Sequence, residues 1–250
     1  MRLHRFYITE KIGLPALRRE QAGERKEITL TDPELIHQLL NVFRFQAGNK
    51  VILFDGTGYE YEAEIILINK KEIKLNIIKA LKKEIINKNV SLYLSLIKKS
   101  NFELAVEKCT EIGVSEIQPI ISERSEKKDL NIERLNKIVK EASEQSGRTT
   151  LPRVFDIISL QLAVSQVLKE GKEGVVFHTV TDSSTAPSPS LSNEGESPKE
   201  VVVFVGPEGG FTEDEINLFK QNNFKILSLG QNILRAETAA MVAVWEGLKM

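Results

Sequence analysis

The side chains best suited to ligand chemistry lie in a glycine-rich loop near the carboxyl end of the chain. Residues 206–210 are Gly-Pro-Glu-Gly-Gly, and they follow residues 201–205, whose side chains are all apolar and mostly β-branched. An apolar run without alternation predicts a strand that is buried on both faces. Open α/β sheets bind ligands at the carboxyl ends of their strands, and glycine lets a ligand approach the backbone. The loop therefore predicts a small-molecule site.

The same loop lacks the residues that bind phosphate groups. A Walker loop closes on Lys-Ser or Lys-Thr and a dinucleotide fold needs Gly-x-Gly-x-x-Gly, and neither pattern is present. The loop is acidic instead, and Thr212 and Glu215 have the spacing of a capping box that starts a helix. A nucleoside that carries a positive group suits this setting better than a phosphate. A plain glycine-rich turn between strand and helix is the alternative.

A second loop of the same kind follows. Residues 225–229 predict another short strand, and residues 230–240, Gly-Gln-Asn-Ile-Leu-Arg-Ala-Glu-Thr-Ala-Ala, run into an apolar helix that continues through Leu248. Two successive units of strand, loop and helix place both loops at one edge of a parallel sheet. The loops are therefore expected to share one site.

The two loops together resemble the cofactor-binding loops of the SPOUT class of methyltransferases, whose chain forms a trefoil knot. With Glu-Gln-Ser-Gly-Arg at residues 144–148, the chain is similar to the 16S ribosomal RNA uridine-N3 methyltransferase family. Shorter similarities occur at residues 5–7, 42–44, 54–56, 98–114 and 122–124. The resemblance covers nearly the whole chain.

The resemblance implies a two-domain α/β protein. A PUA-like RNA-binding β-barrel is expected at residues 1–75, and a SPOUT trefoil-knot methyltransferase domain with a parallel sheet at residues 76–250. Several short strands with one helix in the first third independently predict a small barrel. Strands alternating with helices after residue 90 predict an α/β domain. Residues 181–198 consist mainly of Ser, Pro, Thr and other polar residues with almost no apolar side chains, which predicts a flexible surface insertion.

The composition narrows the class of protein. The 250 residues carry a formal net charge of −1 and 41% hydrophobic residues, which suits a folded core and argues against general coating of nucleic acid. The sequence has no apolar run of membrane-spanning length and one cysteine, which excludes an internal disulfide framework. We therefore expect a soluble cytoplasmic protein that does not bind membranes. Its positive charge is expected to be local, with arginines concentrated before residue 50.

The resemblance also implies S-adenosylmethionine as cofactor, 16S ribosomal RNA in the small ribosomal subunit as substrate, and a homodimer. The expected cofactor-binding residues are Phe177, His178, Thr179, Gly206, Pro207, Glu208, Gly209, Gly210, Leu229, Gly230, Ile233, Leu234, Ala236 and Thr238. The expected RNA contacts are Arg5, Arg44 and Arg148. No metal is expected, because the three histidines are scattered and lack the spacing of metal ligands.

Methylation at uridine N3 sets two chemical demands. The N3 proton must leave before or during transfer, and charge develops on the flanking O2 and O4 atoms. Arg235 is expected to stabilise that charge, and Glu237 to act as base or to anchor the start of the last helix. Cys109 falls on an apolar helical face and is expected to be a buried hydrophobe. Attack through nitrogen or oxygen is therefore preferred to methylation at C5.

Two alternative functions stay open at this point. One is a knotted methyltransferase that acts on a ribose 2′-OH or on transfer RNA. The other is a non-catalytic RNA-binding assembly factor, which predicts no binding of the cofactor.

Two further helix starts are predicted from capping boxes, at Thr31 with Glu34 and at Ser100 with Glu103.

Overall fold

The computed structural model describes residues 3–13, 26–83, 88–125, 129–178 and 200–250. They belong to two compact units. The first unit comprises Met1–Ile85 with Ser143–Thr150, and the second comprises Ile86–Ala142 with Leu151–Met250. The insertion expected at residues 181–198 lies outside the described residues.

The sheet of the first unit has five strands: β1 (Arg5–Tyr7), β2 (Lys26–Leu30), β3 (Lys50–Phe54), β4 (Tyr59–Ile68) and β5 (Ile73–Lys82). Their order is β1-β3-β4-β5-β2. β1 pairs with β3 in parallel, and the other pairs are antiparallel. The division expected after residue 75 falls inside β5, because the alternating pattern that begins at residue 72 belongs to one continuous strand of this sheet.

One face of this sheet forms the core of the first unit. Phe6, Leu53, Tyr61, Ile65 and Leu75 are at most 1% exposed. The register between β4 and β5 shifts at two places, between residues 62 and 63 and between residues 65 and 67. Such irregularities bend the strand that carries them and increase its twist. The bent sheet is consistent with the small barrel predicted from the short strands.

A short helix, α1 (Pro33–His37), covers this core and continues into a π-helical turn, Gln38–Val42. The capping box predicted at Thr31 and Glu34 is wrong: Asp32 caps α1, and its side chain accepts from the backbone N–H of Glu34 at 2.9 Å. Pro33 at the first helical position leaves Asp32 as the residue with extended backbone, which is the conformation of an N-cap.

The second unit alternates strands and helices: β6 (Asn89–Ser95), α2 (Lys99–Ile112), β7 (Glu116–Ile121), α3 (Ile132–Ser146), β8 (Arg153–Val154), β9 (Ile158–Ser159), α4 (Leu160–Glu170), β10 (Glu173–Phe177), β11 (Glu200–Val205), α5 (Glu213–Gln221), β12 (Lys225–Leu227) and α6 (Ala236–Lys249). The sheet order is β12-β10-β11-β6-β7-β8, with β9 also paired to β7, and every pairing is parallel. The last turn of α3 belongs to the first unit.

Burial on both faces, as predicted for residues 201–205, is confirmed. Val201, Val203 and Val205 belong to a core cluster that includes residues of α2 and α6. Val202 and Phe204 belong to a second cluster that includes residues of α4 and α5. Neighbouring side chains of a strand point to opposite faces, so the unbroken apolar run supplies two cores at once.

The helix starts show where local signals hold. The capping box of Thr212 and Glu215 is confirmed at the start of α5. The one predicted at Ser100 and Glu103 is wrong: α2 begins at Lys99 without a side-chain cap, and Glu103 accepts instead from the Arg134 Nε at 2.9 Å. The Glu103 carboxylate therefore forms an ion pair with a residue distant in sequence and does not cap α2, as its spacing from Ser100 had predicted.

Cys109 lies in α2 and is fully buried, as expected, and burial raises the pKa of its thiol. A thiol in that setting is a packing group and not a nucleophile.

No helix within the described ranges combines the length and apolar character needed to cross a bilayer.

Candidate active site

A cavity of about 410 Å³ in the second unit lies where β10, β11 and the loop before α6 meet. β10 contributes the side chain of Phe177 and β11 that of Val205, each at the carboxyl end of its strand. The full lining is Asn101, Phe177, His178, Val205, Gly206, Pro207, Glu208, Gly210, Phe211, Ile233, Leu234, Arg235, Ala236, Glu237 and Ala239. Both loops predicted to share a site therefore line one space.

A smaller cavity of about 50 Å³ shares part of this lining. Phe177, His178, Leu234 and Ala239 line both spaces. The smaller cavity adds four residues of the second loop, namely Ser228, Leu229, Gly230 and Asn232. The two cavities together bring nearly the whole segment between β12 and α6 to the site.

The glycines of the first loop serve the conformation of the loop itself. A Cβ at Gly206 would lie 3.1 Å from the backbone nitrogen of Phe211 and 3.2 Å from the carbonyl carbon of Gly210. Gly210 has a φ of +67°, in the left-handed region where side chains are strained. The turn is closed by the N–H of Gly210, which donates to the carbonyl of Pro207 at 2.8 Å. Glycine is therefore required here for a compact turn.

His178 follows β10 and touches both parts of the site. Its backbone N–H donates to the carbonyl of Leu227 at 3.0 Å, which places it beside the end of β12. Its Cε1 lies 3.6 Å from the position that a Cβ on Gly210 would take. Burial lowers the pKa of its imidazole, and the positive charges of Arg124 and Lys220 lower it further. The lowered pKa favours the neutral form of this imidazole at pH 7.

Arg235 and Glu237 bring opposite charges to the same lining. Arg235 is the N-cap residue of α6, is exposed, and has no ion-pair partner among the described residues. Glu237 lies in the first turn of α6 and is 6% exposed. Its Oε2 is buried and has no hydrogen-bond partner within the described ranges. A buried, unpartnered carboxylate oxygen is costly, so it is poised to accept a hydrogen bond or a proton from a ligand.

Comparison with known proteins identifies the family. An RNA methyltransferase domain matches residues 84–245, and an RNA methyltransferase PUA domain matches residues 30–78. The ribosomal RNA small subunit methyltransferase E of Rickettsia conorii is 34% identical over 249 residues, which cover 98% of this chain and 94% of that protein. This chain belongs to the ribosomal RNA small subunit methyltransferase E family.

Further relatives agree. The methyltransferase E of Synechocystis is 34% identical over 219 residues, covering 87% of this chain and 71% of that protein. The crystal structure of the methyltransferase E from Neisseria gonorrhoeae bound to S-adenosyl methionine has a TM-score of 0.79 and 29% identity, and covers 97% of this chain and 95% of that chain. The expected fold class, a trefoil-knot methyltransferase domain preceded by a PUA-like domain, is confirmed, as is the interpretation of the chain as an RNA methyltransferase.

Most residues that the sequence assigned to the cofactor-binding and catalytic site line one of the two cavities. Gly209 and Thr238 do not, although their neighbours do. Thr179 lies outside the described residues. The sequence prediction missed Asn101, which α2 brings to the cavity, and Phe211, which follows the glycines directly. Asn101 carries no local signal, whereas Phe211 could have been included by extending the loop by one residue.

The arginines expected to contact RNA lie in the first unit, the PUA side of the methyltransferase. The guanidinium of Arg5 is buried, forms an ion pair with Glu60, and donates to the carbonyl of Arg148 at 2.7 Å. This gives Arg5 a structural role and leaves its expected RNA contact without support. Burial lowers the pKa of Arg148 to about 10, which still leaves it positively charged at neutral pH.

Arg44 differs from these two arginines. It is exposed and has a φ of 55°, so it stands on a tight turn after the π-helical segment. The rings of Phe43 and Phe45 on either side of it stack with centroids 5.5 Å apart. Their packing fixes the turn that presents Arg44 to solvent.

Among the described residues, no group of three or more His, Cys, Asp or Glu side chains has the arrangement of a metal site.

Proposed function

We propose that this chain transfers the methyl group of S-adenosylmethionine to N3 of a uridine in the 16S ribosomal RNA of the small ribosomal subunit. The observation that carries the proposal is the shared cavity of about 410 Å³, in which two loops, Arg235 and Glu237 meet. Its volume is typical of sites for small molecules. The related enzyme of Neisseria gonorrhoeae binds S-adenosyl methionine, and 16S RNA is the RNA of the small subunit that the family name specifies.

The residues of the site fit this cofactor. Phe177, Phe211 and Leu234 offer apolar surface to an adenosyl group, and Glu208 offers negative charge to its sulfonium and amino groups. When bound, the cofactor supplies a methyl group already activated by a sulfonium, so the protein mainly has to align the reacting atoms. We assign its binding to the two loops and to the end of β10.

Glu237 is proposed to take the N3 proton. Its buried Oε2 lacks a partner among the described residues, so a uridine N–H that reaches it would satisfy it. With the proton on Oε2, the N3 electron pair would form the bond to the methyl carbon while the methyl–sulfur bond broke, and its electron pair would go to the sulfur of the departing S-adenosylhomocysteine.

Arg235 is proposed to stabilise the negative charge that spreads over O2 and O4 as N3 loses its proton. Its guanidinium is exposed at the cavity and carries no competing ion pair within the described ranges. A free guanidinium presents several N–H donors in one plane, which suits a planar base with two acceptor oxygens. Arg235 and Glu237 thus divide the work between charge stabilisation and proton removal.

The uridine must be unpaired when it reacts, because N3 lies on its Watson–Crick edge. Recognition then rests on splayed bases and on phosphate contacts that hold the register. We propose Arg44 as the leading contact of the PUA domain with the RNA backbone, with Arg148 as a secondary contact. The exposure of Arg44 on a turn braced by stacked rings supports this choice.

We further propose that the chain works in the cytoplasm as a homodimer. Outside the cavity lining, the second unit exposes a large apolar side chain, Trp245, at 52%. A closed two-fold dimer is the commonest oligomer and would cover such a side chain. Sedimentation measurements test the dimer, and a monomer at micromolar concentration contradicts it.

The decisive experiment incubates the protein with labelled S-adenosylmethionine and small-subunit particles that lack the modification, followed by digestion and identification of the labelled nucleoside. We expect 3-methyluridine from 16S RNA. The matched variant is Glu237→Gln, which keeps the shape but removes the base, and it should bind cofactor without transferring the label. Label in a ribose or in transfer RNA contradicts the assigned substrate, and absence of cofactor binding contradicts an enzymatic function.

A further inference from the structure

The segment that follows β7 is bonded to the first loop of the site. Arg124 donates from Nη1 to the carbonyl of Gly209 at 2.7 Å. In the sheet order, β7 and β11 are separated by β6, so this bond joins loops from two strands that are not neighbours. No role in the reaction follows from the sequence position of Arg124, which lies 85 residues before Gly209.

A second set of bonds joins the same segment to the far end of the loop. The backbone N–H of Glu123 donates to Glu215 Oε1 at 2.8 Å, while Oε2 of the same carboxylate accepts from the N–H of Thr212 at 2.9 Å. The Thr212 hydroxyl donates to Glu123 Oε2 at 3.1 Å. Thr212 and Glu215 are both under 9% exposed. The Glu215 carboxylate therefore both caps α5 and binds the segment of residues 122–124.

The segment of residues 122–124 is anchored by a buried hydrogen bond. The Ser122 hydroxyl donates to the Ser95 hydroxyl at 3.0 Å, and these two residues are 4% and 0% exposed. Ser95 is the last residue of β6, so the bonds connect the carboxyl ends of β6 and β7 with the loop after β11. Arg124 thus holds Gly209 from an anchored position.

Gly209 faces this arginine and not the cavity. A Cβ at Gly209 would lie 3.2 Å from Cδ, 3.6 Å from Cβ and 3.9 Å from Cγ of Arg124. Gly209 does not line the cavity, although Glu208 and Gly210 do. The sequence-based expectation that Gly209 lets the cofactor approach the backbone is therefore replaced by contact with Arg124. A methyl group added at Gly209 would therefore have to displace the exposed side chain of Arg124.

We propose that Arg124 is a positioning residue, which fixes the glycine loop of residues 206–210 in the conformation that receives the cofactor. The inference rests on the proposed function of this site. Three glycines in five residues give the free loop much backbone freedom, and a ligand that had to order it would bind more weakly. The bond to the Gly209 carbonyl removes much of that freedom before the ligand arrives.

The first test compares Arg124→Ala, Arg124→Lys and the surface control Arg134→Ala by calorimetry with S-adenosylmethionine. Loss of one charge-assisted hydrogen bond should weaken cofactor affinity about three- to tenfold in Arg124→Ala. Arg124→Lys keeps a donor and should recover part of the loss, while Arg134→Ala should match the unmodified protein. Without any ligand, amides of residues 206–212 should exchange with solvent about three to ten times faster in Arg124→Ala.

The second test is a double-mutant cycle with Gly209→Ala. In the presence of Arg124 the added methyl displaces the arginine, and affinity should fall about threefold; in the Arg124→Ala background it should cost nothing more. An equal penalty in both backgrounds means that Gly209 meets the ligand, and it overturns the inference. Unchanged cofactor affinity and amide exchange in Arg124→Ala, or an effect on RNA binding alone, overturns it as well.

These outcomes are distinct from failure of the proposed function. If the unmodified protein neither binds S-adenosylmethionine nor methylates RNA, the function fails, while amide exchange in the ligand-free protein still decides whether Arg124 holds the loop. If the unmodified protein is active and Arg124→Ala behaves like the Arg134→Ala control, the function stands and the positioning role is lost.

Discussion

Of the two loops that line the cavity, the first (residues 206–212) is bonded to residues far away in the chain, whereas the second (residues 228–235) is bonded locally. The side chains of Arg124 and Glu123 bond to Gly209 and Thr212 of the first loop. Glu208 accepts from the backbone N–H of Lys98 at 3.4 Å. In the second loop, the Ser228 hydroxyl accepts from the N–H of Gly230 at 3.3 Å and donates to its carbonyl at 3.0 Å.

The exposure of the two loops differs in the same sense. Phe211 and Thr212 of the first loop are buried, while residues 230–233 of the second are exposed and Ile233 reaches 84%. A braced loop offers a preformed surface, and a loosely held loop becomes ordered when a ligand covers it. On the proposed function the two loops would divide the work. The first would be the preformed part of the cofactor site, and the second, which also lines the cavity, would become ordered around the ligand and carry Arg235 for the chemistry.

The largest expected effect comes from Arg235→Ala. If the second loop carries the chemistry, turnover should fall about a hundredfold or more, because a group that stabilises charge in the transition state is lost. Cofactor affinity should stay within about threefold, because the braced first loop is untouched. Rates with small-subunit particles and calorimetry measure the two quantities separately.

Arg134→Ala serves as the control for Arg235→Ala, since Arg134 is an exposed arginine of α3 that pairs with Glu103 outside the cavity lining. Turnover equal to that of the control would remove Arg235 from the mechanism. A loss of affinity as large as the loss of turnover would contradict the division of work between the loops.

An intermediate effect is expected from Ile233→Ser. This side chain lines the cavity although it is mostly exposed, so a ligand that orders the second loop should bury part of it. Losing about 1 kcal/mol of apolar burial should weaken cofactor affinity about fivefold without lowering the thermal midpoint. Leu168→Ser, at a 46% exposed position on α4, is the matched control. Equal affinities of the two variants would mean that the second loop stays open when the cofactor binds.

The sequence predicted the parts of this site that local patterns control. The apolar run at residues 201–205 predicts a strand buried on both faces, because each side chain needs an apolar neighbour on its own face. The spacing of Thr212 and Glu215 predicts the start of α5, because a capping box involves neighbouring residues only. The alternation of strands and helices places both loops at one edge of the sheet.

The remaining features depend on contacts between distant residues. The hydrogen bond from Arg124 to Gly209 joins residues 85 positions apart. The bond from Arg134 to Glu103, which replaces the predicted helix cap, joins residues 31 positions apart. No window of neighbouring residues contains either pairing. Asn101 reaches the cavity only because α2 packs beside α6. The knotted topology was likewise expected from the family resemblance alone, since knots are nearly absent from proteins in general.

The smallest expected effect concerns His178, which lies between the two loops. Its imidazole has a pKa below the usual value of about 6.5, first because it is partly buried and then because Arg124 and Lys220 repel its protonated form. The chain has three histidines, so their ring resonances can be followed individually by nuclear magnetic resonance during a pH titration. Arg124→Ala removes one repulsion and should raise the pKa of His178, while burial keeps it below the usual value. Ile233→Ser removes no charge and should leave it unchanged.

The same shift fixes the sign of a stability effect. Because the folded state binds its proton at lower pH than the unfolded state, the unfolded state gains protons first as pH falls through 6.5. The contribution of His178 to the free energy of unfolding should therefore decrease from pH 7.5 toward the lowered pKa of the folded state and level off below it. Urea denaturation of His178→Gln should show a smaller decrease than that of the unmodified protein. If the free energies of unfolding of the two proteins depend on pH in the same way, His178 is protonated as easily in the folded protein as in the unfolded chain. The repulsion from Arg124 then has no measurable effect on stability.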